Sequence, residues 1–124
     1  MNQVWIVDDD EEIGIALRSM LRMLNYDQRI FTDARSSARA LITDSTPDLI
    51  LIDLNMPEVS GIELLDFIRG KPRLKNLPVV MISAETSPSA VDNARRHGAD
   101  DYLFKPISLR ELQAGIDSAM NFRK

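Results

Sequence analysis

The chain has 124 residues, close to the commonest single-domain size, which leaves no room for a second ordinary domain. Hydrophobic residues make up 44% and charged residues 27%, a globular balance that argues against disorder, and no run of about 18 uncharged apolar residues exists to cross a bilayer. The 15 Lys and Arg against 19 Asp and Glu leave a net charge of −4, which repels a polyanion, and the absence of cysteine excludes disulfides, thiol nucleophiles and Cys-based metal sites.

Acidic residues begin at Asp8, so the N-terminus lacks the apolar region of a signal peptide. The expectation is a cytoplasmic protein with no membrane segment and no direct nucleic-acid binding by this chain. The first apolar run, Val4 to Val7, is uninterrupted, the pattern of a strand buried on both faces. Ile13, Leu17, Met20, Leu21 and Leu24 then fall on one helical stripe. The weaker run Arg29-Ile30-Phe31 fits a strand at a sheet edge, and Ala34, Ala38, Leu41 and Ile42 form a second helical stripe. Leu49 to Ile52 is a second buried strand, followed by a stripe of Gly61, Leu64, Leu65 and Ile68. Val79 to Ile82 is a third. The helix after it is the least hydrophobic, opened by Thr86-Ser87-Pro88 and closed by His97-Gly98. Tyr102-Leu103-Phe104 is the last strand, and a capping box from Ser108 to Glu111 starts a final helix that buries Leu109, Leu112, Ile116 and Ala119.

Five alternating strand and helix units predict an α/β fold: a doubly wound parallel sheet, flavodoxin-like, in the order 2-1-3-4-5. Residues 1–124 read as one domain. The final helix runs almost to Lys124, so an output module is either absent or cut away.

Open parallel sheets bind ligands outside the carboxyl ends of their strands. Four of the runs end in polar groups: Asp8-Asp9-Asp10, Asp53, Ser83 and Lys105-Pro106. Strands one and three are neighbours in the expected order, which gathers Asp8, Asp9 and Asp53. Either some of their pKa values rise steeply or a cation joins them, and an all-oxygen set selects a hard ion, Mg²⁺ before Zn²⁺. Lys105 can neutralise phosphoryl charge, while the Ser83 hydroxyl and the Ala84 N–H can donate to phosphoryl oxygens. Asp53 is the candidate nucleophile. An ionised carboxylate attacks phosphorus without a separate base, so the site need only position the reactants and neutralise charge.

Taken together, these residues resemble the receiver domain of two-component response regulators, and the resemblance runs from Val4 to about Phe122. It implies that Asp8 and Asp9 hold Mg²⁺, or Mn²⁺ in its place, with Asp53 and the backbone carbonyl of Asn55. Asp53, in Asp53-Leu54-Asn55-Met56-Pro57 followed by Gly61, matches the phosphoacceptor and its loop. Ser83, Ala84 and Lys105 match the phosphoryl-binding positions, and Pro106 a proline usually preceded by a cis peptide. Ser83 and Tyr102 match the switch pair, and Asn55 and Glu85 the side chains that tune dephosphorylation. Ser83 stands where Thr is common in the family, keeping the hydroxyl but losing the methyl that stiffens χ1.

The implied partners are a sensor histidine kinase or a phosphotransfer protein, and an output partner or missing output domain. The implied readout surface is the fourth helix, fifth strand and fifth helix, which also serves homodimers. The implied role is a switch that assists its own phosphorylation and autodephosphorylation rather than an enzyme turning over a substrate.

Two other classes fit less well. A haloacid dehalogenase-type hydrolase needs a second Asp two residues after its nucleophile, where this chain has Asn55. A flavodoxin-like electron carrier needs a hydroxyl- and glycine-rich phosphate loop, where this chain has Asp8 to Glu12. Multiple turnover of a phosphoester, or a yellow protein, would revive them. Some charged and apolar residues read more plainly. Asp10 reads as a helix N-terminus, and His97 as a dipole partner at a helix end. Trp5, Met20, Met23 and Met81 read as core, with Trp5 also near enough to report metal binding. Arg95-Arg96 and Arg123-Lys124 read as solvated charge.

Overall fold

A computed structural model describes residues 2–123. The elements follow in strict alternation: β1 (Gln3–Val7), α1 (Glu11–Met23), β2 (Asp27–Phe31), α2 (Ala34–Thr43), β3 (Leu49–Asp53), α3 (Gly61–Gly70), β4 (Val79–Ser83), α4 (Pro88–Arg96), β5 (Asp101–Phe104) and α5 (Leu109–Phe122). The five strands form one parallel sheet in the order β2-β1-β3-β4-β5, the expected flavodoxin-like arrangement.

The strands explain their own uninterrupted hydrophobicity. Trp5, Val7, Ile50, Ile52, Val79 and Met81 pack against α2, α3 and α4 through Leu41, Leu64, Leu65, Ile68 and Ala94. Their neighbours Val4, Ile6, Leu49, Leu51, Val80 and Ile82 pack on the other face against α1 and α5 through Leu17, Leu21, Leu112 and Ile116. Side chains alternate between faces along a strand, so a sheet covered on both sides needs an apolar residue at every position. The edge strand β2 escapes that demand: Phe31 is its one fully buried residue.

The helix signals hold locally. Asp10 caps α1 by accepting the Glu12 and Ile13 N–H groups, Ser87 caps α4 with Pro88 at its start, and Ser60 and Ser108 close capping boxes with Glu63 and Glu111. Gly98 takes φ of 108° just past α4, the left-handed turn a glycine permits.

Three expectations about the core need correction. In α2 the buried face is Ala34, Ser37, Ala40 and Leu41, whereas Ile42 is exposed. Ser37 turns inward because its hydroxyl donates to the Ala34 carbonyl at 2.7 Å, which removes the penalty for burying it and rotates the helix away from Ile42. Met23 is 69% exposed: one residue step around a helix is about 100°, and it falls off the Met20–Leu24 stripe. Leu109 is only half-buried.

Candidate functional site

The strand register builds the site. Val7 pairs with Ile52, Asp53 with Ile82 and Ser83 with Phe104, so the residues one step further along, Asp8, Asp53, Ser83 and Lys105, line the carboxyl rim. Backbone bonds carry the pairing past the strand ends: Asp8 N–H donates to the Phe31 carbonyl at 3.0 Å, Leu54 N–H to Ile82 at 2.9 Å, and Lys105 N–H to Ser83 at 2.8 Å.

The three consecutive aspartates after β1 have separate fates. Asp8 is fully buried and its Oδ1 accepts the Asp10 N–H at 2.9 Å; Asp9 is exposed; Asp10 is the α1 cap. Carboxylate oxygens of Asp8, Asp9 and Asp53 lie within 4.8 Å of one another. The Lys105 ammonium enters this group from β5, 2.9 Å from Asp8 Oδ2 and 3.2 Å from Asp53 Oδ1. The long hydrogen bond from Asn55 N–H also ends on Asp53 Oδ1, at 3.4 Å.

Three carboxylates and one ammonium leave a formal surplus of negative charge in a largely buried place. Burial, and then the charge of Asp8, push the Asp53 carboxyl up to about 6, against the opposing pull of Lys105. Burial acts to lower the Lys105 pKa, but its close pairing with Asp8 and the charge of Asp53 outweigh that and hold it above the ordinary value. Asp8 Oδ2 is buried and accepts no well-aligned hydrogen bond, the ammonium beside it notwithstanding. An all-oxygen donor set with surplus negative charge fits a hard divalent cation.

The remaining expected residues surround this group. Ser83 is fully buried and its Oγ accepts the Glu85 N–H at 2.9 Å. Tyr102 is buried, its hydroxyl donating to the Glu85 carbonyl at 2.9 Å and its ring meeting Phe104 edge-on at 5.5 Å. One residue of backbone, Glu85, thus links both hydroxyls. Ala84, Asn55 and the Glu85 side chain are exposed at the rim, and the Lys105–Pro106 peptide is cis. An apolar groove of about 410 Å³ opens beside Lys105, lined by Ile13, Leu17, Met20, Ala84, Pro106 and Ile107. Sequence reading gave Ile13, Leu17 and Met20 to the core alone; nothing in their spacing marks a groove.

The plainer readings fare unevenly. Trp5 is core, 4.9 Å from the Phe31 ring, with Arg29 over its face at 5.2 Å. His97 caps the end of α4, where its Nδ1 lies 2.7 Å from Asp66 Oδ1 and away from the rim. Arg95 is half-exposed beside Asp101. Arg123 is not solvated charge: its guanidinium Nε donates to the buried Asp100 carboxylate at 2.7 Å. Lys124 lies outside the described residues.

A family model for the response regulator receiver domain matches residues 4–117. The chain is 30% identical over 115 residues to the chemotaxis protein CheY of Pseudomonas aeruginosa, covering 93% of each. It is 38% identical over 122 residues to the KDP operon transcriptional regulatory protein KdpE of Escherichia coli, covering 97% of this chain and 52% of the relative. The chain spans about half the length of several curated relatives it matches, and less of others: 24% of the transcriptional regulator NtrC of Proteus hauseri. Among solved structures, the receiver domain of Francisella response regulator 1452 superposes with a TM-score of 0.87 at 30% identity over the full length of both chains. Vibrio cholerae CheY4 does so with a TM-score of 0.88 at 27% identity, covering 96% of this chain and 98% of its own.

Proposed function

The chain belongs to the receiver domain family of two-component response regulators, a signalling family, and from that premise we propose that Asp53 is its phosphoacceptor. The donor is the phosphohistidine of a sensor histidine kinase or of a phosphotransfer protein. One juxtaposition carries the reading: Asp53 stands at a strand end with Asp8 and Asp9 beside it and the Lys105 ammonium 3.2 Å from its Oδ1.

Lys105 and the Asn55 N–H both approach Oδ1, so Oδ2 is the oxygen we assign as nucleophile. A P–O bond forms as the P–N bond to the donor imidazole breaks, and the departing ring nitrogen keeps the electron pair. The Lys105 ammonium neutralises phosphoryl charge, and Ser83, whose oxygen accepts the Glu85 N–H, retains its own proton to donate. The exposed Ala84 offers its N–H from the same loop. Asp8, Asp9, Asp53 and the Asn55 carbonyl are the ligands we assign to Mg²⁺, or to Mn²⁺ in its place; when bound, the ion would supply Lewis-acid stabilisation of phosphoryl charge.

The phosphoryl group carries roughly −1.5 to −2 charges where the carboxylate carried one, a net gain of up to about one negative charge, and brings three acceptor oxygens, enough to bias two packings that differ by a few kcal/mol. Ser83 and Tyr102 are the switch pair, coupled here through the Glu85 backbone. The readout surface is α4, β5 and α5, open to an output domain, a separate partner or a second copy of the chain. Asn55 and Glu85, polar and exposed at the rim, are the side chains that tune water attack on the phosphoryl group. We read residues 1–124 as one receiver domain working in the cytoplasm without direct nucleic-acid contact. Among the described residues no helix is long and apolar enough to cross a membrane.

Intact mass after incubation with acetyl phosphate and Mg²⁺ tests the acceptor. Wild type gains one phosphoryl mass and Asp53→Asn gains none; equal gain in both overturns the assignment.

A further inference from the structure

A second buried charge cluster sits at the opposite ends of the strands. The Asp100 side chain is fully buried just before β5. Its Oδ2 accepts the Val79 N–H at 2.9 Å and Arg69 Nη2 at 3.1 Å, and its Oδ1 accepts Arg123 Nε at 2.7 Å. The Gly98 carbonyl accepts Arg69 Nε and Nη2 at 3.0 and 2.8 Å, and Arg123 Nη2 at 3.4 Å. One carboxylate therefore ties together α3, β4, the α4–β5 turn and the end of α5.

The two arginines are not equivalent. Arg69 also donates to the Lys75 and Leu77 carbonyls, at 3.0 and 2.6 Å, so removing it strips acceptors across the α3–β4 connection. Arg123 is the one donor to Asp100 Oδ1, but the carboxylate keeps Arg69 as counter-ion and the Val79 N–H on Oδ2, and the Gly98 carbonyl keeps Arg69. Removing Arg123 leaves a paired buried charge, whereas removing a sole partner would leave an unpaired one. With two guanidinium groups on one carboxylate, Arg123 is the surplus cation.

We propose that Arg123 is a releasable latch, which fastens the last turn of α5 to the α4–β5 turn and can let go while the rest of the fold stands. A carboxylate or phosphate brought by another molecule can compete for it while Asp100 keeps Arg69 as its counter-ion. The same turn carries Phe122, 73% exposed, with the Arg123 guanidinium 5.5 Å from its ring, so release moves an exposed apolar ring together with a cation. The latch is independent of the phosphoryl chemistry proposed for the rim.

Hydrogen exchange read by mass spectrometry on wild type, Arg123→Ala, Arg123→Lys and Arg69→Ala tests it. In Arg123→Ala, peptides covering Ala119 to Arg123 should exchange roughly tenfold faster, the change expected from losing a charge-assisted hydrogen bond. Peptides of β4 and β5, and phosphoryl uptake from acetyl phosphate, should not change. Arg123→Lys should fall between, and high salt should loosen the last turn in wild type but not in Arg123→Ala. Unchanged exchange at the end of α5 overturns the latch. So does loosening of β4 and β5 equal to that in Arg69→Ala, or failure of Arg123→Ala to fold, since either makes the contact structural rather than releasable.

Discussion

The two ends of one sheet hold opposite charge arithmetic. At the carboxyl rim, three aspartates meet one lysine, and a buried oxygen of Asp8 goes without an aligned donor. At the amino end, two arginines meet one aspartate, and both Asp100 oxygens are filled. The same strands carry both clusters, so the difference is not one of scaffold. The imbalance at the carboxyl rim leaves negative charge in excess, whereas the imbalance at the amino end leaves a cation to spare on a carboxylate whose oxygens are both filled.

The sharpest way to break this comparison is to remove a carboxylate from each end. Asp100→Ala leaves two guanidinium groups in a buried cluster and is expected to cost about 3–5 kcal/mol in urea unfolding. Asp53→Asn should do the reverse. A carboxyl held at about 6 in the folded protein and near its ordinary value when unfolded binds its proton more tightly in the fold. Its contribution to stability is therefore present at low pH and drains away as pH rises from about 4 to about 6. Asp53→Asn, which never ionises, should exceed wild type by on the order of 1–3 kcal/mol at neutral pH without divalent cations, and the gap should close below about pH 4. Adding Mg²⁺ at about 100 times its dissociation constant should return about 2.7 kcal/mol to wild type and much less to the variant. Equal destabilisation by both substitutions would erase the contrast between the ends.

The smallest effect concerns strain at the rim. Glu58 sits at φ of 66° in a three-residue turn closed by Val59 N–H to the Pro57 carbonyl at 2.7 Å. Left-handed backbone costs a side-chain-bearing residue that glycine spares. Glu58→Gly should stabilise by about 0.5–1 kcal/mol, seen as a shift of the urea midpoint at constant slope.

Legibility in the sequence followed from physics that acts locally. Strands covered on both faces need continuous apolar runs, and the residue after each run falls at the rim, so Asp8, Asp53, Ser83 and Lys105 stand out in the sequence itself. The cap residues Asp10, Ser87 and Ser108 were readable for the same reason. Asp100 and Arg123 were not. An aspartate beside Asp101 and an arginine near the chain end look like surface charge, and only the tertiary meeting of α3, the α4–β5 turn and α5 gives them a buried partner. Ser37 was hidden by the rule that polar residues face out, which a hydroxyl bonded to its own helix evades.

The start of α3 bears on how the rim can respond. A Cβ on Gly61 would stand 2.3 Å from the Asp53 carbonyl oxygen and 2.9 Å from Leu54 Cα, and the Gly61 N–H already donates to Leu54 at 3.0 Å. Backbone is pressed against backbone there, with Met81 Cε as near that Cβ as Leu54 Cα, at 2.9 Å. On the other side, the segment from Ala84 to Pro88 is exposed and reaches the core through Glu85 and its two hydroxyl contacts. The rim is mechanically anisotropic, stiff toward α3 and compliant toward α4, so a disturbance at Asp53 has one easy direction in which to travel.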